Sequence, residues 1–256
     1  MTLRLEAVGI PFTFVDALYG RTVPIPDILD GARVVRSRFK TESGLGCTVS
    51  HRLLHRVIAD GEAETALILE DDASIPEDFA DVIEQALAFD FDVFKLEGVN
   101  TSRRRITVGR VGRYEVIITS RPSVGSAAYL LRRDAARRIC SLPVIDQGSD
   151  YVFQDPRLLL RVLEMDPFCV QQDSATGTQL EHLPNQTYTA RSEWSFRRLV
   201  ESTERKLLMG RIYGPMMLAR FELQRLRPVR MGLFIFRWSI FFAVMIALAV
   251  GLWLVW

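Results

Sequence analysis

An α/β fold, in which a mixed sheet is flanked by helices and followed by a C-terminal transmembrane helix, is predicted by three observations. Short apolar runs alternate with stretches of helical period as far as residue 190. An acidic triplet, Glu70, Asp71 and Asp72, follows directly on the apolar run Thr65–Leu69. The last 19 residues, 238–256, carry no charge. The chain has 256 residues, 48% of them hydrophobic and 25% charged. That suits one globular domain with an extension rather than two full domains.

In chain order, residues 10–15 (IPFTFV) read as a strand and residues 46–60 as a helix with Leu54, Val57 and Ile58 on one face, stopped by Gly61. The continuous run Thr65–Leu69 (TALIL) reads as a strand buried on both faces. Phe79, Val82, Ile83, Ala86 and Leu87 then follow the i, i+3, i+4, i+7, i+8 pattern of an amphipathic helix. Residues 92–97, 115–119 and 125–131 read as further strands, 133–140 as a helix and 166–171 as a late strand. Arg103, Arg104 and Arg105 read as a solvated loop. The domain division is 1–190 globular, 191–231 basic and amphipathic, and 232–256 transmembrane.

The net charge of +1 excludes a protein working through bulk positive charge, so no nucleic-acid partner is expected. The charge is unevenly placed, with +7 over residues 197–237 and −6 over the remainder. Residues 238–256 would span roughly 28 Å as a helix, close to the hydrocarbon thickness of a bilayer. Trp238, Trp253 and Trp256 lie near its ends, and the basic flank directs the globular part to the cytoplasmic side. Residues 205–230 interleave apolar residues with arginines. Such a segment can lie on an anionic membrane surface or pack as a helix on the domain. Cys47, Cys140 and Cys169 lack metal or redox spacing, and no signal peptide is visible.

Three adjacent carboxylates at the carboxyl end of a strand repel one another unless a cation is present. Magnesium or manganese would supply that charge together with substrate phosphates. The alternative is capping of the next helix by Asp72 or Ser74. His51 and His55 have i, i+4 spacing, but with Arg52 between them and no further ligand nearby they do not make a zinc motif. His51 is expected under the sheet edge or at the site, His55 as an ordinary surface or partly buried residue, and His182 in a loop. No GxSxG, P-loop or GxGxxG follows any predicted strand.

GIPFTFVDAL from Gly9, GLGCTVSH from Gly44, LILEDD from Leu67, VFKLEG from Val93, GSAAYLL from Gly125 and CVQQ from Cys169 occur in an order that resembles family 25 glycosyltransferases. That group contains lipooligosaccharide and collagen galactosyltransferases, and the likeness runs from about Gly9 to about His182. The resemblance implies a GT-A-like fold, a UDP-sugar donor, Mn2+ or Mg2+, and inversion at the anomeric carbon. It implies Asp72 as direct metal ligand, with Glu70 or Asp71 touching metal, water or ribose. Ser50 and His51 match a Ser-His pair that would shape the donor site. The family's base aspartate falls within PVIDQGSDYVFQD, where Asp150 competes with Asp146 and, behind them, Asp155. The resemblance also implies a first strand ahead of the first helix, and no such strand is found before Met1.

The expected function is a membrane-anchored, metal-dependent hexosyltransferase acting on a lipooligosaccharide or other surface-glycan precursor, galactose being one candidate sugar. A non-catalytic scaffold or binding relative, and a metal-dependent phosphotransfer enzyme, are the other two readings.

Overall fold

The computed structural model describes residues 5–6, 8–99, 105–172 and 206–223. A small sheet joins β1 (Ile28–Leu29), β2 (Ala32–Val34) and β9 (Val144–Ile145). The main sheet has six strands: β3 (Thr65–Leu69), β5 (Val93–Lys95), β6 (Arg105–Val111), β7 (Tyr114–Thr119), β8 (Ala128–Arg132) and β10 (Val162–Asp166). Their order is β3-β8-β5-β10-β7-β6, with only the β5/β10 pair parallel. β4 (Ala73–Ser74) pairs with β11 (Gln171–Gln172) in a separate ribbon.

Helices cover both faces of the main sheet. Helix α1 (Glu42–Asp60) and helix α3 (Arg133–Cys140) lie on the face that carries Ile68, Val93, Leu131 and Val162. Helix α2 (Phe79–Leu87) lies on the opposite face, against Phe94, Leu96, Leu130 and Leu163. Residues 206–213 are helical, and helix α4 (Pro215–Leu223) follows after Gly214 at φ 85°. Met209 and Phe221 are buried in the α2-side core, and the Tyr213 hydroxyl donates to the Val162 carbonyl and accepts from its N–H, both at 2.9 Å. The described part of the basic segment is thus a pair of helices packed on the domain.

The expected fold class needs correction. The architecture is mixed α/β, and among the described residues no helix is long and apolar enough to cross a membrane. Residues 238–256, on which the span was expected, lie outside the described residues, as do His182, Arg103 and Arg104. Arg105 opens β6, a strand that its arginines disguised as a loop.

Two further differences have a physical reason. Residues 10–15 form no strand, leaving Phe12, Phe14 and Val15 exposed, because no ladder partner runs beside them among the described residues. Among the described residues β3 is an edge strand, and the burial expected on both of its faces is not found. Its pairing to β8 continues outward through Glu64 carbonyl to Arg133 N–H and Glu70 N–H to Ala127 carbonyl. Hydrogen-bonded pairs alternate in an antiparallel ladder, so Thr65, Leu67 and Leu69 turn their peptide groups to the open side. Only Ile68 of the five residues is buried.

Candidate functional site

Strand direction fixes where the chemistry gathers. β3 and β5 both run antiparallel to β8, so Glu70, after β3, and Glu97, after β5, emerge at the same end of the sheet. β7 and β8 run alike, and β10 and β5 lie between them. Residues 120–127 must therefore cross the sheet face, carrying polar peptide groups over a buried surface. Such groups need partners.

The partners come largely from charged side chains in the sheet. Lys95 on β5 and Glu164 on β10 sit opposite one another in register, and each is 0% exposed. The Lys95 ammonium donates to the Ser123 and Gly125 carbonyls, both at 2.6 Å. Glu164 accepts from the Ser123 N–H at 2.8 Å and from the Ser123 and Thr119 hydroxyls. Val99 N–H donates to the Val124 carbonyl at 2.8 Å, and Ala127 N–H to Glu97 at 3.1 Å. Gly125 N–H donates to Asp150 Oδ2 at 3.0 Å. The φ of 110° at Gly125, and a Glu97 oxygen only 2.6 Å from where a Cβ would stand, require glycine here. Burial lowers the affinity of Lys95 for its proton, opposed by Glu164, Glu97 and Asp150. It also raises the Glu97 carboxyl above its ordinary value, against the Ala127 N–H and the Lys95 charge.

Beside this segment lies a second network. Helix α1 is capped by Thr41, whose side chain accepts from Gly44 N–H at 3.0 Å, and it turns a polar row of Thr48, His51, Arg52 and His55 inward. His51 Nδ1 and His55 Nε2 both meet the Tyr129 hydroxyl at 2.8 Å. His51 Nε2 reaches Glu70 Oε1 at 3.1 Å. Ser126 donates to the same Glu70 oxygen at 3.2 Å and bonds to Ser149 at 3.0 Å. Cys47 Sγ stands 3.8 Å from the Ser149 hydroxyl. Donor atoms of Cys47, His51 and Glu70 lie within 4.8 Å of one another, an arrangement that hydrogen bonding accounts for.

Burial disfavours charge on His51, but Tyr129, Cys47 and Glu70 outweigh it and hold the imidazole well above its ordinary 6.5. Burial likewise opposes charge on Glu70, yet the His51 and Ser126 contacts keep its carboxyl below the usual value. His55, buried and beside His51 and Arg52, is held well below 6.5. These shifts have opposite consequences. The raised His51 contributes stability that is complete below pH 6.5 and is lost as pH rises through its folded value. The depressed His55 contributes stability that is present above pH 6.5 and is lost as pH falls. The joint contribution of the two histidines to stability is therefore expected to be greatest near pH 6.5, each flank of that contribution falling by at most about 1.4 kcal/mol per pH unit. In thermal unfolding, His55→Gln should make the fall just below pH 6.5 shallower than in the parent, and an unchanged slope there would refute the assignment.

The carboxylates of the triplet differ. Asp71 is exposed. Asp72 Oδ2 accepts from Gln172 across the β4–β11 ribbon at 3.4 Å, while Asp72 Oδ1 is buried with no partner among the described residues. Burial raises the Asp72 carboxyl above its ordinary value, and Glu70 and Asp71 add to the shift. An orphaned carboxylate oxygen beside two further acids fits a hard divalent cation, which takes oxygen ligands.

Of the other expected site residues, Ser50 has its hydroxyl bonded to the Gly46 carbonyl and the Leu18 N–H, both at 2.8 Å. It ties the chain entering α1 to that helix. Asp146 lies near the charge of Arg157, which is paired with Asp155. That pairing, with a bond from Gln147, occupies Asp155. Asp150 alone of the three touches the crossing segment. Sequence reasoning passed over Lys95, Glu97, Ser126, Tyr129 and Ser149. The first four lie inside the VFKLEG and GSAAYLL motifs, so the motifs themselves were the available signal.

A family model described as "Glycosyltransferase family 25 (LPS biosynthesis protein)" matches residues 1–143, more than half of the chain. The chain belongs to glycosyltransferase family 25. A search of curated proteins finds no match. The family 25 match includes His51, the acidic triplet, Lys95, Glu97 and the Gly125–Ser126 turn. It stops short of Asp146 and Asp150, and short of His182, to which the resemblance was expected to run. The place of Asp150 in this family 25 glycosyltransferase rests on its bond to Gly125.

Proposed function

We propose that the protein is an inverting, metal-dependent hexosyltransferase that moves a sugar from a UDP-linked donor to a hydroxyl of a lipopolysaccharide-type glycan precursor. One observation carries this reading. Glu70 and Asp150, distant in sequence, are joined to adjacent residues of one turn, Ser126 and Gly125. That turn spaces an acidic, cation-fitting end of β3 from a separate carboxylate.

In this reading Asp72, with Asp71 and Glu70 beside it, would hold Mn2+ or Mg2+. The ion, when bound, neutralises charge building on the departing diphosphate. Asp150 accepts the proton of the acceptor hydroxyl as its oxygen bonds to the anomeric carbon. The bond from that carbon to the diphosphate oxygen breaks with inversion, and UDP leaves with the electron pair. His51 holds Glu70 in place, and Tyr129 fixes the His51 ring.

The test is calorimetric titration of the full chain with UDP and UDP-galactose, each with and without manganese. Metal-dependent binding of both is the expected result. A second reading, a non-catalytic binding member of the family, is favoured by the side of β3 that has no ladder partner among the described residues, next to the carboxylates. It predicts no heat with either ligand in a sample shown to be folded, and that outcome would overturn the first reading.

A further inference from the structure

A lysine and a glutamate in the middle of a sheet, neither exposed to solvent, call for an explanation, since buried charges are costly unless paired and bonded. Here the sheet has a reason to contain them. The crossing segment is held at consecutive peptides: Ser123 N–H by Glu164, the Ser123 and Gly125 carbonyls by Lys95, the Val124 carbonyl by Val99, and Ala127 N–H by Glu97. Lys95 alone supplies two of these contacts. They flank the Gly125 N–H that Asp150 accepts and the Ser126 side chain that bonds Glu70.

We propose that Lys95 is a positioning residue for glycosyl transfer. Through the Ser123 and Gly125 carbonyls it fixes the turn that aims Asp150 at one side of the site and Glu70 at the other. The proposal rests on the reading of Asp150 as the base. It adds that the distance between base and donor is set from beneath the turn, by an ammonium that never meets substrate. Without that ammonium, the buried Ser123 carbonyl and the half-buried Gly125 carbonyl lose their partner, and the Gly125–Ser126 peptide must rotate to find new ones. A nucleotide held by the triplet would still bind, but the hydroxyl and the anomeric carbon would no longer meet in line.

Lys95→Met removes both bonds, and Lys95→Gln keeps two N–H donors without the charge. The two variants are compared with the parent in the full chain by two readouts. Amide hydrogen exchange needs no ligand. In Lys95→Met the Gly125 amide should exchange at least 10-fold faster while Leu130 and Leu131 on β8 keep their protection, and Lys95→Gln should recover part of the difference. Turnover should fall on the order of 10²-fold in Lys95→Met with the KM for the donor changed less than about threefold. Unchanged Gly125 exchange in a folded Lys95→Met would overturn the proposal whatever the activity. Loss of protection throughout β8, or failure of both variants to fold, would overturn it as well, by making Lys95 a residue of general stability. Faster Gly125 exchange combined with full activity of Asp150→Asn would instead remove the reading of Asp150 on which the proposal stands.

Discussion

Asp150→Asn is expected to lower the rate of sugar transfer by about 10²–10⁴-fold, the usual contribution of a positioned general base, while leaving donor binding and thermal stability unchanged. The reason is geometric. Asp150 accepts the Gly125 N–H through one oxygen at 3.0 Å. The Asn carbonyl can accept the same bond, so the turn keeps its anchor. What is lost is the capacity to take up a proton from the acceptor. Asp146→Asn and Asp155→Asn serve as comparisons. Asp146 is bonded to no part of the crossing segment, and Asp155 is committed to Arg157, so neither should reproduce the loss of turnover. Asp155→Asn should instead lower stability, since its carboxyl is held below the ordinary value by the Arg157 contacts against the opposing effect of burial. Full transfer activity in Asp150→Asn, measured as UDP release with acceptor present, would refute the assignment.

Asp72→Asn is expected to abolish the stabilisation that manganese gives the parent. A ligand at a hundredfold excess over its dissociation constant stabilises by about 2.7 kcal/mol, which in a chain of this size is roughly 5–10 °C in Tm. The variant should show none of it, and UDP titrated in manganese should give no heat. Without metal the variant should unfold at the parent's temperature or above it. Burial and the neighbouring Glu70 and Asp71 already disfavour charge on this carboxyl, and the Asn oxygen can keep the Gln172 bond. The contrast between metal-free and metal-loaded unfolding separates a ligand from a structural cap. A cap lost to Asn would change both by the same amount.

The legible parts of the fold were those whose signal is local. The apolar run of β3 and the spacing of Phe79, Val82 and Ala86 in α2 appear where their patterns put them. The position of β3 at the edge was not legible, because strand order is a property of the whole sheet and leaves no mark in five residues. Charge misled twice. Arg105 and Arg110 hid the alternation of β6, whose Ile106 and Val111 are buried. The inward row on α1 is polar, and of the face expected from Leu54, Val57 and Ile58 the two residues Leu54 and Ile58 pack against the core while Val57 is 63% exposed. The triplet and Asp150 could be proposed from sequence. Lys95 and Glu97 acquire a role only once β7 and β8 are seen to run alike, which forces a connection across the face.

The open side of β3 has a consequence for how the two halves of the site respond to a ligand. The turn to which Asp150 is bonded through the Gly125 N–H is itself held at nearly every peptide. The triplet sits at the end of a strand that, among the described residues, has hydrogen-bonded neighbours on one side only. Among the described residues rigidity is therefore distributed unequally: Asp150 stands on fixed ground, and the acidic triplet on a strand with half its ladder. In the proposed reading, the loss of conformational entropy on donor binding would fall on the β3 side. The affinity for nucleotide would then depend on how firmly that strand is held, and the rate of transfer on the turn opposite.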